Sequence, residues 1–298
     1  MKGVITIFTL PQEFEDLAIT LNALKRNSVF VDKTDIYKID LLMCMSDELV
    51  DWNKSKLPKE YIESRTKELC ETYLDWCEYS LNFEYGNEII GCLSHRRKSI
   101  KENTDADFFI WLDTDIFFKD ITLYYSTLAF KMIKEAGVDK FVVTPQFVKQ
   151  WDDTWDSIVN QKYLNYPLNY QLDADLFQET LPQLNDVNIN EIQVLKFAGG
   201  WFTLLSKELL NTIKLPESLG HYGPDDTFIM VCGTIMNSKE KSISQFIMEN
   251  LLVGENYRYK KNKTIKEYII GKNRKDEFRK IAEDNWNIEI NKFISNLK

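Results

Sequence analysis

Apolar positions along the chain follow two rhythms that alternate. Short unbroken runs mark strands, among them Val4-Ile5-Thr6-Ile7-Phe8, Ile39-Asp40-Leu41-Leu42-Met43-Cys44-Met45 and Phe108-Phe109-Ile110-Trp111-Leu112. Between the first two, Phe14, Leu17, Ala18, Leu21 and Leu24 recur at helical spacing and predict a helix over 12–25, introduced by a turn at Pro11. A charged, helix-rich insertion is expected from 51 to about 78, then a strand over 81–85 and a helix over 88–102. Past the run at 108 the pattern predicts a helix over 123–135 and a strand over 140–144. Strands over 193–197 and 201–205 should flank Gly199-Gly200, followed by a helix from Ser206 and another over 227–236. Residues 146–190 are less regular and rich in Trp, Tyr, Asn and Asp, and the tail from 249 reads as mostly helical and basic.

Strands alternating with helices over short links describe an α/β fold, a mostly parallel sheet flanked by helices. Five large apolar residues at 108–112 read as a strand buried on both faces. Ligands bind beyond the carboxyl ends of such strands, which is where Asp113-Thr114-Asp115 falls. Two carboxylates one residue apart can both reach a hard divalent cation, with Thr114 pointing elsewhere. A cation held by so few protein ligands keeps positions for phosphate oxygens, so the pair suggests a metal that carries a diphosphate. Two other Asp-x-Asp patterns lack that position. Asp105-Ala-Asp107 sits in a polar stretch before the run, and Asp173-Ala-Asp175 has no strand before it.

The 298 residues suit one α/β domain with extensions, and 44% hydrophobic content with 13% aromatic residues is ample for a large core. A net charge of −9 speaks against non-specific nucleic-acid binding. Cys44, Cys70, Cys77, Cys92 and Cys232 are odd in number and form no CxxC pair, which suits reduced thiols in a cytoplasmic protein. The apolar segment 3–10 is too short for a signal peptide, and no run approaches the ~20 residues of a membrane span. A soluble protein is expected. Charge is unevenly spread: residues 258–280 hold ten Lys or Arg against three acids, a local +7 that leaves −16 elsewhere. With Tyr259, Tyr268, Ile269, Ile270 and Phe278 interleaved, this segment suits either peripheral contact with an anionic membrane or the solvated face of an ordinary helix.

Further chemistry clusters in three places. His221-Tyr222-Gly223-Pro224-Asp225-Asp226 opens a helix, where Pro and one Asp are natural, but two adjacent carboxylates crowd each other without a cation or proton to share. One of them, Asp226 or Asp225, suits a general base. Gly199-Gly200 permits close backbone approach to a ligand or makes a bulge. Trp201 beside it suits either stacking on a sugar or core packing. Ser94-His95-Arg96-Arg97-Lys98 lies on the helix preceding the aspartate-bearing strand, and at least one of Arg96 and Arg97 is shaped for phosphate or nucleotide contact. Among the irregular residues 151–177, Trp151 and Tyr166 suit an acceptor sugar or the packing of a long loop.

Taken in order, these motifs resemble the nucleotide-sugar glycosyltransferases of GT-A fold. ITIFTLP before a helix resembles the nucleotide-binding start of family-2 enzymes, and SHRRKSIKENTDADFFIWLDTD their Arg-containing helix and aspartate motif. IIGCLSH and FAGGWFTLLS are similar to family-25 lipopolysaccharide glycosyltransferases, and GPDD sits where the family carries its acidic catalytic motif. The resemblance spans roughly 3–236. It implies a 1–248 glycosyltransferase domain with a helical, basic 249–298 extension. It implies Mn2+ or Mg2+ on Asp115 directly and on Asp113, which alternatively holds the ribose. Thr9, Pro11, Glu13 and Asp47 would line the nucleoside pocket, with Asp226 or Asp225 as base. His221, Gly199, Gly200 and Trp201 would serve the substrate. The implied partners are a nucleotide-sugar donor, with a UDP-sugar favoured, and a saccharide or glycolipid acceptor for surface polysaccharide or glycan synthesis. Two features depart from the family: Met45-Ser46-Asp47 replaces an acidic pair, and no histidine follows residue 221. The competing readings are a haloacid-dehalogenase-type phosphatase, whose nucleophile motif is also Asp-x-Asp after a strand, and a non-catalytic sugar binder of the same fold.

Overall fold

A computed structural model of the chain describes residues 1–86, 91–148, 187–193, 195, 198–239, 242–255, 269 and 275–297. Its strands are β1 (Lys2–Thr9), β2 (Ile36–Cys44), β3 (Glu78–Glu84), β4 (Phe108–Asp113), β5 (Ile116–Phe118), β6 (Phe141–Val148), β7 (Asn188–Ile192), β8 (Phe202–Ser206) and β9 (Ser244–Glu255). The longer helices are α1 (Phe14–Asn27), α2 (Lys59–Tyr73), α3 (Cys92–Glu102), α4 (Thr122–Glu135), α5 (Lys207–Thr212), α6 (Asp225–Ser238) and α7 (Lys275–Asn296). One sheet runs in the order β3-β2-β1-β4-β8-β6-β9-β5, with β7 also pairing to β9. Ladders β3-β2, β2-β1 and β1-β4 are parallel, whereas β8 runs antiparallel to both β4 and β6.

The parallel half is built where apolar runs are unbroken. β1 is paired on both edges, and Val4, Ile5 and Ile7 are fully buried. β4 buries Phe108 through Leu112 completely, as two-faced burial predicts. Helix α1 turns Leu17, Leu21 and Leu24 inward at the expected spacing, and the Pro11–Glu13 turn that precedes it is a single 3-10 turn. Ser206 caps α5 by accepting the Leu209 N–H at 3.3 Å, where its hydroxyl was expected to start a helix. Lys2 secures the entry to the sheet: its backbone N–H donates to Asp107 at 2.7 Å and its ammonium to Asp105 at 2.8 Å. The Asp105-x-Asp107 pattern is thus engaged just before the amino end of β4, at the other end of the strand from Asp113.

Three strands differ from the sequence expectation. β5 follows the aspartate pair directly and pairs with Val253–Glu255 positions of β9. β7 occupies 188–192, a polar edge strand (Asn-Ile-Asn-Glu-Ile) with little apolar pattern, while 194, 196 and 197 of the strand expected over 193–197 lie outside the described residues. β9 takes up residues 249–255, which read as helical tail, and so continues across the 248/249 division. Its apolar run is broken by Glu249-Asn250, where the register against β6 shifts between Pro145 and Gln146. Asn250 adopts φ 69° there, and its N–H donates to the Gln146 side chain at 2.7 Å. Among the described residues no helix is long and apolar enough to cross a membrane.

Phe108 is the aromatic keystone beneath β1, packed at 4.9 Å on Phe130 and edge-on at 6.0 Å to Tyr37. Phe108→Ala should therefore cost about 3–5 kcal/mol in urea-unfolding stability. A loss under about 1 kcal/mol would show that this cluster is not part of the stabilising core.

Candidate active site

Strand β4 ends at Asp113, whose N–H donates to the Trp201 carbonyl at 3.2 Å as the chain leaves the sheet. Thr114 turns the backbone, its carbonyl accepting the Thr20 hydroxyl at 2.6 Å, and Asp115 follows before β5 begins. From the far side, the 219–224 loop delivers Asp225 and Asp226 at the start of α6. These segments open onto one cavity of about 540 Å3. Its wall includes Glu13, Asp113, Asp115, Asp225, Asp226 and Glu283, six carboxylates, against the guanidinium groups of Arg96 and Arg279. Thr114, expected to point elsewhere, is also on the wall, together with Phe8, Cys92 and Gly200.

Arg96 organises this charge. Its Nη1 donates to Asp225 at 2.8 Å, and its Nη2 donates to Asp113 at 3.1 Å and to the Gly200 carbonyl at 3.3 Å. Its guanidinium carbon lies 4.7 Å from the centre of the Trp111 ring. The arginine side chain is 5% exposed and that of Asp225 4%, so this is a buried ion pair. Burial alone would lower the arginine's pKa, but Asp225 and Asp113 outweigh it and hold the cation above its ordinary value. Gly200 lies close against this group, and a Cβ there would sit 2.6 Å from Nη1.

Asp226 has different surroundings. Its carboxylate accepts the Gly200 N–H at 3.0 Å and the Thr227 N–H at 2.6 Å. Burial and the neighbouring Asp225 push it up to about 6, against the opposing pull of Arg96 and these amides. Asp113 is likewise pushed up, to about 7, by burial and by Asp115, with Arg96 opposing. Half of its side-chain surface opens to the cavity, so solvent screening moderates that push.

The remaining expected residues are distributed as follows. Thr9, at the end of β1, and Pro11, in the 3-10 turn after it, are buried, while Glu13 is on the cavity wall and accepts the Leu10 N–H at 3.2 Å. Asp47 lies away from the cavity, paired with Lys59 at 2.6 Å. Arg97 points to the other side of α3 and donates to the carbonyls of Pro216 at 2.7 Å and Gly220 at 3.2 Å. Trp201 is 5% exposed and lies over Gly199, where a Cβ would meet its ring at 2.0 Å. The His221 side chain is exposed, and its carbonyl accepts the Ser94 N–H at 3.2 Å. His95 is buried, bonded to the Asp40 carbonyl at 2.9 Å, with its pKa lowered by burial. Trp151, Tyr166 and Asp173-Ala-Asp175 lie outside the described residues. Sequence reasoning missed Arg279 and Glu283, which α7 brings to the wall from the basic tail.

No protein-family model matches the chain, and no curated protein matches it. Among solved structures it is similar to S. aureus TarS 1–349 in complex with UDP, at TM-score 0.50 and 15% identity over 84% of this chain and 60% of that one. It is also similar to GalNAc-T7 with UDP, GalNAc and Mn2+, at TM-score 0.50 and 12% identity over 86% of this chain and 44% of that one. The chain thus spans less than two thirds of either. The likeness shows a GT-A fold, the one the sequence motifs imply.

Removing Arg96 should expose the cost of its partners. Arg96→Met leaves a buried Asp225 without its cation and should lose about 3–5 kcal/mol by urea denaturation. Adding Asp225→Asn should restore part of that loss. Strict additivity of the two losses would show that the pair is not coupled.

Proposed function

We propose that the chain is a metal-dependent glycosyltransferase that moves a sugar, with inversion, from a nucleotide-diphosphate sugar to a hydroxyl of a saccharide or glycolipid acceptor. A UDP-sugar is the favoured donor, and surface polysaccharide or glycan synthesis the setting. The observation that carries this is the convergence of Asp113, Asp115 and Asp226 on one cavity at the carboxyl end of β4. The fold supports it, as do the UDP of the TarS structure and the UDP, GalNAc and Mn2+ of the GalNAc-T7 structure. The +7 charge of residues 258–280 supports peripheral contact with an anionic membrane as part of the same reading.

Asp113 and Asp115 would hold a divalent cation as a pair, since among the described residues no group of three His, Cys, Asp or Glu side chains is arranged to hold one. Asp113 and Asp115 offer hard oxygen ligands on an open cavity, and Mn2+ or Mg2+ commonly completes such a set with substrate phosphates. Bound there, the ion would offset charge building on the leaving diphosphate. The chain's own groups divide the other tasks. Arg96 fixes the Asp113 carboxylate and neutralises Asp225. Asp226, oriented by the amides of Gly200 and Thr227, takes the acceptor's proton as its oxygen bonds to the anomeric carbon. The bond from that carbon to the diphosphate oxygen breaks, and nucleoside diphosphate leaves. A carboxylate pushed up to about 6 is matched to proton removal near neutral pH.

Asp115→Ala should keep its fold and lose Mn2+-dependent binding of UDP, read by calorimetry. Wild-type-like Mn2+-dependent binding by this variant would remove the metal assignment.

Asp226→Asn should keep donor binding and lower transfer by about 10²–10⁴-fold. Because the base acts deprotonated, wild-type kcat/KM should rise with pH through about 6 and level off above it. That limb should vanish in the variant. A large loss in Asp225→Asn alone would move the role by one residue, and no loss in either would end the inverting reading.

A further inference from the structure

We infer that Arg279 of helix α7 contacts an anionic, phosphate-type group of the substrate, which makes the C-terminal helix part of the active site. The inference rests on the glycosyltransferase reading above. Two guanidinium groups reach the cavity wall among the described residues. Arg96 is committed to Asp113, Asp225 and the Gly200 carbonyl. Arg279 is exposed, and no carboxylate among the described residues pairs with it. Its guanidinium carbon lies 5.7 Å from the centre of the Tyr222 ring, itself on the wall. That contact holds the planar group at the cavity and leaves its N–H edge for a ligand.

The position of Arg279 is set by packing rather than by chance of a surface side chain. Ala282 is fully buried against Gly223, where a Cβ would come within 2.8 Å of its own. Gly220, at φ +77°, receives Ile281. Trp286 meets Phe228 of α6 edge-on at 5.6 Å. Residues 279, 282, 283 and 286 recur at three- and four-residue spacing, so the anchored face of α7 is the one that carries Arg279 and Glu283 to the cavity. The loop that receives α7 leads directly into Asp225 and Asp226.

Electrostatics supplies the ligand class. Beyond the carboxylates met by Arg96 or a bound cation, Glu13, Asp226 and Glu283 also line the cavity, and a diphosphate entering it meets their negative charge. A guanidinium matches phosphate oxygens in a two-pronged geometry. The same chemistry could come from the donor's diphosphate or from an anionic group on the acceptor.

The test compares wild type, Arg279→Gln, Arg279→Lys and Lys280→Gln, the last removing the same charge from an exposed position off the cavity wall. Calorimetry measures UDP with Mn2+, and then glycerol 3-phosphate added to enzyme saturated with both. Circular-dichroism melts establish that each variant is folded. Arg279→Gln should weaken one of the two ligands about tenfold, Arg279→Lys less, with Lys280→Gln at wild-type affinity. Loss on UDP assigns the donor's diphosphate, and loss on glycerol 3-phosphate alone assigns the acceptor side. Unchanged affinity for both in Arg279→Gln overturns the inference while the parent reading stands. A wild type that binds neither UDP nor any other nucleoside diphosphate with Mn2+ overturns the parent reading and this inference with it.

Discussion

One buried guanidinium joins the segments on which the cavity depends. Arg96 comes from α3, Asp113 from the end of β4, Gly200 from the turn before β8 and Asp225 from the start of α6, and its contacts bring all four together. A cation and carboxylate this deep are tolerable only when each charge is met, because desolvation costs several kcal/mol per ion and Coulomb attraction repays it only in good geometry. Trp111 completes the enclosure from below. An arginine so engaged holds the acidic groups around it in place.

The parallel half of the sheet was legible because its strands are buried on both faces and therefore spelled by unbroken apolar runs. The runs at 4–8, 39–45 and 108–112 all became strands of the expected kind. Asp113 and Asp115 stood out because a strand end in such a sheet is a ligand-facing place. β7 and β9 escaped notice for the opposite reason. An edge strand of Asn188–Ile192 needs no apolar alternation, and β9 is cut in two by a bulge whose partner, Gln146, lies over a hundred residues away in sequence. Long-range pairing, which no window of sequence contains, decided both.

Adjacent residues proved the hardest to read. Arg96 and Arg97 are equivalent by composition, yet successive helical positions point about 100° apart. One therefore enters the cavity while the other ties α3 to the carbonyls of Pro216 and Gly220. Arg279 and Glu283 were invisible for a related reason. They belong to a segment whose conspicuous property is charge, and only the small residues Gly220 and Gly223 allow α7 to lie close enough to present them.

Asp225 and Asp226 show how environment, not identity, assigns a task. The two are neighbours in sequence with the same side chain. Asp225 turns inward to Arg96 and is 4% exposed, so its negative charge is spent on holding the site together. Asp226 turns to the backbone amides of Gly200 and Thr227, and burial beside Asp225 pushes it up to about 6. A carboxyl group held near neutrality is one able to exchange protons. Arg96 bonds directly to Asp225. By meeting the charge of Asp225 it lets both carboxylates sit at the same helix start, with Asp226 on the cavity wall.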